Sequence, residues 1–549
     1  MTKQSSDDIF RLLLTHRGLR GSKLQSFLNP DYNAAHDPHL LPDIDKAVDR
    51  IIQAYNKQEK VLIYGDYDVD GITATTILVD AFRKLGIQNV SYVLPDRLSD
   101  GYGISSNFIS SLATLAPDLI ITVDCGSSNI AEINQIQSLG IDVIVTDHHE
   151  PKSTLPSALA IVNPKRSDSQ YPFRNIAGVL VAFKLIQALQ QRLPGIPDGQ
   201  EKWFLDLVAL GTICDVMEIT DENRINVFFG LKVLAKTRRK GLSALMDIAG
   251  VNANKLTAES IGFQIGPRLN AAGRIDQATT ALELLLETES SKAYTKANHL
   301  NDLNTTRKSM QDRAFHDIEV NSQDDNHPVL IIKHEDCHEG IIGIIASKLL
   351  EKHHKPTFVF CTCDDGLLKG SARSFGDFSL AEAIEHCQDL IIKGGGHKEA
   401  AGITLEPKNF EQFCCKIYNY YISLHLQPQE KHFIVTEDLA IRDLSTLSID
   451  LYDQLLQLEP FGEGNPIPIF KLENVTIIHA SWVGNESNHL KMTAIDDNGE
   501  EIKLFAFLAP THWYLSPDTR ADIWITLGLN EWNNARYTEG KILQIKPCE

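Results

Sequence analysis

Short apolar runs alternate with longer segments of helical period through the first third of the chain. Asp43 opens an amphipathic helix with apolar positions Ile44, Ala47, Val48, Ile51 and Ile52. Val61–Tyr64 then reads as a buried strand, and the stretch after Gly71 as a helix. Val90–Leu94, Leu119–Val123, Val143–Thr146 and Ala158–Val162 continue the series. Apolar strands separated by helices predict a parallel sheet covered on both faces. Residues 176 to 289 read as mostly helical, and Trp203–Val216 is the most apolar of those helices. From Ser290 to Val320 a helical pattern runs without Pro or Gly, which predicts a helix connecting two domains. A second α/β module follows, with strands at Val329–Ile332, Thr357–Phe360 and Leu367–Ala372 and helices from Ile341 and Leu380. Beyond Phe433 the pattern changes to short strands: Val475–Ile478, Leu490–Ala494, Ile502–Phe507, Ile523–Leu527 and Ile542–Ile545. They predict a small β-barrel domain of the OB type. The expected plan is a helical lead-in over 1–45, a catalytic α/β domain over 46–289, a connecting helix over 290–326, a second α/β domain over 327–428 and the barrel over 429–549.

Polar residues interrupt this pattern at the strand ends. Val61–Tyr64 runs into Asp66, Asp68 and Asp70, then Gly71; Leu119–Val123 runs into Asp124-Cys125-Gly126; Val143–Thr146 runs into Asp147-His148-His149. In a parallel sheet all carboxyl ends share one edge, so these clusters can converge there, where open α/β folds keep their sites. Unpaired, three alternate carboxylates repel one another and lose hydration, so a cation is their natural partner. An EF-hand is the competing reading, but its spacing and closing Glu are missing. The apolar helix ending in Gly-Thr-Ile-Cys-Asp-Val delivers Asp215 as a further ligand position, with a simple cap or surface group the alternative.

Asp and His ligands on separate elements suit Mn²⁺ or Mg²⁺ better than structural Zn²⁺. Several carboxylates around two divalent ions are the usual device for phosphoryl transfer to water. On that chemistry Asp68, Asp70, Asp124, His148 and Asp215 ligate, with Asp124, on the central strand, best placed to bridge two ions. Asp66 is either a ligand or a support behind one. His149 meets either a phosphate oxygen or the leaving oxygen, and Asp147 orients a histidine. Gly394-Gly395-Gly396-His397 reads either as backbone open to an anion or as an ordinary glycine turn.

Composition narrows the class. The 549 residues are too many for one core, and no apolar run approaches a membrane span. No signal-peptide pattern opens the chain, and nine scattered cysteines without a CxxC pair fit the reducing cytoplasm. The net charge of −20 argues against wholesale nucleic-acid binding but leaves local patches open. The most basic cluster, Lys232 to Lys240, reads as a solvated helix end. Residues 430–549 carry 19 Asp and Glu against 9 Lys and Arg. Such a barrel either grips DNA weakly or binds a protein.

Asp66–Gly71, Val123–Gly126, Asp147-His148-His149 and Gly211–Val216 together resemble the four motifs of the DHH phosphoesterase superfamily, and Gly394–His397 resembles its accessory domain, DHHA1. The family often has His where this chain has Tyr64, which shifts weight onto Asp66. Asp37–Ile51, Pro95–Gly103, Gly266–Ile275, His338–Ala346, Gly370–Ser374 and Glu459–Pro466 extend the likeness over nearly the whole chain, to the bacterial branch that degrades single-stranded DNA from the 5′ end.

That resemblance implies two-metal release of mononucleotides in DNA repair and recombination, with Mn²⁺ or Mg²⁺ as cofactor. It implies that Arg97, Arg268, Asn270, Arg274, Ser371, Arg373 and His397 line the DNA path and hold a 5′ phosphate. It further implies a monomer that works with a single-stranded-DNA-binding protein and a helicase. A DHH phosphodiesterase acting on short oligonucleotides or cyclic dinucleotides is the nearer alternative, and the C-terminal β domain speaks against it. An inactive replication scaffold is the other, and the intact ligand set speaks against that.

Overall fold

The structure is a computed structural model that describes residues 5–321, 327–363, 365–426, 435–484, 486–532 and 535–548. The expected boundary between residues 428 and 429 and the end of the connecting segment at 326 lie outside the described residues. The chain forms two compact units, one of His36–Met217 and Phe229–Phe433, the other of Met1–Ala35, Glu218–Phe228 and Ile434–Glu549.

The larger unit carries the two α/β modules. In the first, β1 (Val61–Tyr64), β2 (Val90–Val93), β3 (Leu119–Val123), β4 (Asp142–Thr146) and β5 (Ala160–Val162) form a wholly parallel sheet in the order β2-β1-β3-β4-β5. β1, β3 and β5 are buried at every position, as continuous apolar runs in a sheet covered on both faces must be. The helix Val69–Lys84 is buried along most of its length and packs against the helices Gly178–Gln190 and Leu205–Cys214. On the other face of the sheet, Phe108, Ile109, Leu112, Ile133 and Ile136 close a core over Leu62, Ile120 and Val145.

The helix Ser290–Asn321 spans 32 residues and packs on the helix Gly266–Ile275 before the second module begins. There β6 (Leu330–His334), β7 (Thr357–Thr362), β8 (Leu368–Arg373), β9 (Ile391–Gly396) and β10 (Ala400–Leu405) form a mixed sheet in the order β6-β7-β8-β10-β9. Sequence periodicity missed the β9–β10 hairpin because β9 is an exposed edge strand ending in three glycines. Gly394–Gly396 therefore pair with Ile403, Gly402 and Ala401 and do not form a loop.

In the smaller unit β11 (Leu439–Ile441) lies parallel to β12 (Ile469–Val483), and β12 continues through β13 (His489–Ile495), β14 (Glu501–Ala506), β16 (Ala535–Pro547) and β15 (Arg520–Trp532). A second pairing of β12 with β15 closes these five strands into a barrel. The helix Ser6–His16 belongs to the same unit: Ile9, Leu13 and Leu14 share one apolar core with Leu451, Leu455 and the barrel interior. Arg17 pairs with Asp438 at 3.0 Å. Arg224, in the segment Glu218–Phe228, is buried against the ring of Phe27. It donates to the carbonyls of Phe27, Leu458 and Glu459 at 3.1, 3.0 and 2.9 Å. The Glu459–Pro466 stretch is thus an internal clamp on this segment: Ile219 N–H donates to Glu463 O at 2.7 Å.

Candidate metal centre and anion site

β1, β3 and β4 are neighbours in the sheet, and each ends in its acidic group at the same edge. Asp124 follows β3 with φ 60°, a strained conformation for a residue with a Cβ. Asp70 lies in the first turn of the helix Val69–Lys84, and Asp68 caps that helix by accepting Gly71 N–H at 3.1 Å. Asp215 caps the helix Leu205–Cys214. His148 Nε2 faces three of these carboxylates, at 3.1 Å from Asp124, 3.5 Å from Asp215 and 3.7 Å from Asp70.

Three donor groups result, each with atoms within 4.8 Å of one another: Asp70, His148 and Asp215 form the first, Asp66, Asp68 and Asp124 the second, and Asp124, His148 and His149 a third that overlaps both. Asp66 Oδ1, Asp124 Oδ1, His148 Nε2 and Asp215 Oδ2 are buried without any hydrogen-bond partner among the described residues. Native proteins rarely leave such groups orphaned, and divalent cations satisfy this donor chemistry. Burial, then repulsion from Asp68, pushes the Asp70 carboxyl up to about 7. Asp66, Asp124 and Asp215 are pushed up by burial and by neighbouring carboxylates as well. Burial and the charge of His149 lower His148 to about 3, which keeps its imidazole neutral.

The surroundings fit the same purpose. Asp70 accepts the N–H groups of Gly178 at 2.6 Å and Val179 at 2.9 Å, at the positive end of the helix Gly178–Gln190. A Cβ on Gly178 would stand 2.8 Å from the Asp124 carboxylate, and one on Gly211 2.6 Å from Asp70 Oδ1. Only glycine allows the helices to come so close to the carboxylates.

Asp147 serves His149 and not His148. Its carboxylate accepts Ser127 N–H at 2.9 Å, the backbone N–H groups of both histidines, and His149 Nδ1 at 2.8 Å. These contacts outweigh burial and hold its pKa well below the usual carboxylate range. Burial lowers His149, but the bond to Asp147 and the fields of Asp147, Asp215 and Asp66 more than offset it, giving about 9. Tyr102, which no sequence pattern singled out, bonds His149 Nδ1 at 2.9 Å and donates to Asp124 O at 3.2 Å. Tyr64 is a core residue: its hydroxyl donates to Gly103 O at 2.9 Å and its ring packs on Phe108. The place where the family often has His supplies no ligand here, and Asp66 stands in the second donor group.

A cationic group lies beside the carboxylates. Arg97 stacks on Tyr67, 4.8 Å from its ring, and helps offset the charge of Asp66. Burial, then repulsion from Arg97, Arg307 and Arg373, lowers Arg274 to about 9. Arg373 is lowered by burial and by Arg97. No carboxylate stands within ion-pair distance of these four arginines among the described residues, and Arg307 Nε is buried without a partner. Like charges gathered without a direct ion pair make an anion site. Arg307 lies on the connecting helix, and sequence reasoning missed it because Arg on a long polar helix looks solvated.

The second module contributes the far wall. Arg373 Nη1 donates to Ala372 O at 2.8 Å and Ser371 Oγ at 3.2 Å. The start of the helix Ile342–His353 backs onto both, since a Cβ on Gly343 would lie 3.1 Å from Ser371 Oγ and 3.2 Å from Arg373 Nη2. Arg274 Nη1 reaches Gly340 O at 3.3 Å, and Lys369 Nζ reaches Leu98 O at 2.9 Å, joining the two modules.

Three further expected residues make these contacts. Arg268 donates to Gln264 O at 2.6 Å and Asn301 Oδ1 at 3.1 Å. Asn270 accepts Val69 N–H at 3.2 Å and so supports the ligand helix. His397 sits in the β9–β10 turn, where its N–H closes the turn on Ala400 O at 2.8 Å.

Comparison with known proteins agrees with this geometry. Residues 60–212 match the DHH family N-terminal domain, 326–423 the DHHA1 domain and 439–544 the RecJ OB domain. A protein of Haemophilus influenzae described as single-stranded-DNA-specific exonuclease RecJ is 34% identical over 536 residues, covering 93% of this chain and 92% of its own. The protein so described from Bacillus subtilis is 35% identical over 95% of this chain, which spans 66% of that longer protein. The crystal structure of RecJ from Thermus thermophilus in complex with Mn²⁺ superposes with a TM-score of 0.84 at 29% identity, covering 98% of this chain and 76% of that one. With all three domain types in this order and such relatives along nearly its full length, the chain belongs to the RecJ family of DHH phosphoesterases.

Proposed function

We propose that this protein is a metal-dependent exonuclease that degrades single-stranded DNA from a 5′-phosphorylated end and releases mononucleotides, in DNA repair and recombination. The observation that carries the reading is a group of arginines without direct ion pairs among the described residues, beside a carboxylate–histidine centre. One anion site for a terminal phosphate beside one hydrolytic centre is what end-directed cleavage requires.

The donor set fits Mn²⁺ or Mg²⁺: Asp70, His148, Asp215 and Asp124 would hold one ion and Asp66, Asp68 and Asp124 the other. Bound there, the ions supply an activated water and neutralise charge on the scissile phosphate. The remaining steps belong to the chain. Asp147 fixes the His149 ring and keeps it protonated, so His149 presents its free Nε2 to a phosphate or leaving oxygen as a charged donor. Tyr102 holds that ring and the Asp124 backbone together. Arg373, with Ser371 behind it, and Arg97 and Arg274 opposite, grip the 5′ phosphate through charge-assisted bonds.

The barrel, though acidic overall, is not uniformly so. Phe505 on β14 lies between Lys491 on β13 and Lys541 on β16, and Lys503 stands 4.4 Å over the Tyr537 ring. Its acids Glu473, Asp496, Asp497 and Asp522 gather around a separate depression. Lysines interleaved with aromatic rings suit the trailing single strand. We extend the reading to a monomer in the cytoplasm, supported by nine free cysteines. A helicase and a single-stranded-DNA-binding protein are its expected partners, because the substrate must first be opened and kept open.

The test is digestion of single-stranded DNA labelled separately at each end, with Mn²⁺ and with chelator. Labelled mononucleotide released early from the 5′ end, only with metal, supports the reading. Release first from the 3′ end, or of internal fragments, overturns it.

A further inference from the structure

This inference rests on the single-stranded-DNA reading above and concerns how the strand is held. Two anomalous apolar residues flank the ligand Asp215. Val216, next in sequence, has φ 54° and a side chain 67% exposed. A β-branched residue in the left-handed region is strained, and such strain persists where the surroundings enforce it. Phe263 is 75% exposed, more than any other large apolar residue described. It lies in a π-helical turn, Ile261–Ile265, a rare geometry that concentrates at functional sites.

That turn is built onto the ligand. A Cβ on Gly266 would stand 2.4 Å from Cys214 Sγ, and one on Gly262 3.9 Å from Ile213 Cγ2, at the end of the helix that Asp215 caps. The turn is also locked from behind, because Arg268 donates to Gln264 O and to Asn301. Through Gln264 O, Arg268 fixes the residue next to Phe263. Neither Phe263 nor Val216 fills the core; both are exposed, Val216 directly after Asp215 and Phe263 in the turn packed on Ile213 and Cys214.

We propose that Phe263, with Val216 next to Asp215, forms an apolar platform on which one base of the bound strand stacks. Every base has a π-face, so such a platform is tolerant of sequence. A base inside a duplex has both faces covered by its neighbours. The platform therefore favours unpaired strands and keeps the strand in register as each nucleotide is removed. Phe263 is a positioning residue, and Arg268 acts through it.

Steady-state kinetics on single strands in which one abasic nucleotide is walked inward from the 5′ end test this. In the unsubstituted protein, one abasic position raises KM. Phe263→Ala raises KM on intact strands about 5- to 100-fold, the loss falling in KM rather than kcat. It suffers no further loss at that one abasic position, and Phe263→Trp restores binding. A purely structural role would lower kcat and thermal stability and show no such position. An unchanged KM, or losses that multiply at every abasic position, overturns the inference while leaving the exonuclease reading intact. Failure of the unsubstituted protein to digest single strands removes both.

Discussion

On the proposed reading, replacing Arg373 with Ala should remove a charge-assisted contact to the 5′ phosphate. The guanidinium is pre-oriented by Ala372 O at 2.8 Å and Ser371 Oγ at 3.2 Å, so little ordering entropy opposes its use. It has no ion-pair partner among the described residues to strand when it is deleted, and its loss relieves repulsion with Arg97. Folding is therefore spared, and the effect falls on substrate. One hydrogen-bonded contact to a charged group is worth about 1.5–3 kcal/mol, or roughly ten- to a hundredfold in kcat/KM. The assay compares both enzymes on strands with a 5′ phosphate and with a 5′ hydroxyl. The variant is expected to lose that factor on the phosphorylated strand and less than about threefold on the other, because the contact is already missing there. Arg373→Lys, which keeps charge but loses the fork, should fall between. Equal proportional losses on both strands would refute the assignment, and the source of polarity would have to lie in another group.

Three further outcomes follow from the same geometry. Asp124→Ala should abolish hydrolysis even at saturating Mn²⁺ yet raise the melting temperature of the metal-free protein, because it removes one of several mutually repelling buried carboxylates; near-normal turnover would sink the bridging role. Metal removal should destabilise the protein more at high pH: the Asp70 pKa is raised from 3.8 to about 7, so its favourable contribution is complete below 3.8 and lost as pH rises through 7, with Asp66, Asp124 and Asp215 moving the same way and His148 opposing them. Calorimetry at pH 5 and 8 with and without Mn²⁺ reads this, about 2.7 kcal/mol being expected at a hundred times Kd, and a larger metal effect at pH 5 would contradict it. Truncation at residue 432 should give an aggregating protein, since Ile9, Leu13 and Leu14 lose the barrel core they share, whereas removing residues 1–35 as well should improve solubility and leave cleavage of short oligonucleotides; equal solubility of the two truncated proteins by size-exclusion chromatography would count against that coupling.

Much of this protein was legible from its chain because its signals are local. Buried parallel strands must be apolar at every position, so Val61–Tyr64 and Leu119–Val123 appear at their observed bounds. Carboxylates at the ends of such strands have no structural reason to be there, which is why Asp66, Asp68, Asp70 and Asp124 stood out before any geometry was known. Tertiary structure decided what depends on convergence across long separations. It gave Asp147 to His149, turned Tyr64 into the core and engaged Arg268 behind the π-helical turn. It gathered Arg307 with three distant arginines and joined the first helix to the last domain. Periodicity reports which side of an element is buried, because burial acts on each residue in turn. It does not report which distant side chain completes a site, because that depends on how elements pack. Phe263 shows the limit: in sequence it is one more apolar residue of a helical stretch, and only the packed structure leaves it exposed in a π-helical turn built against Cys214.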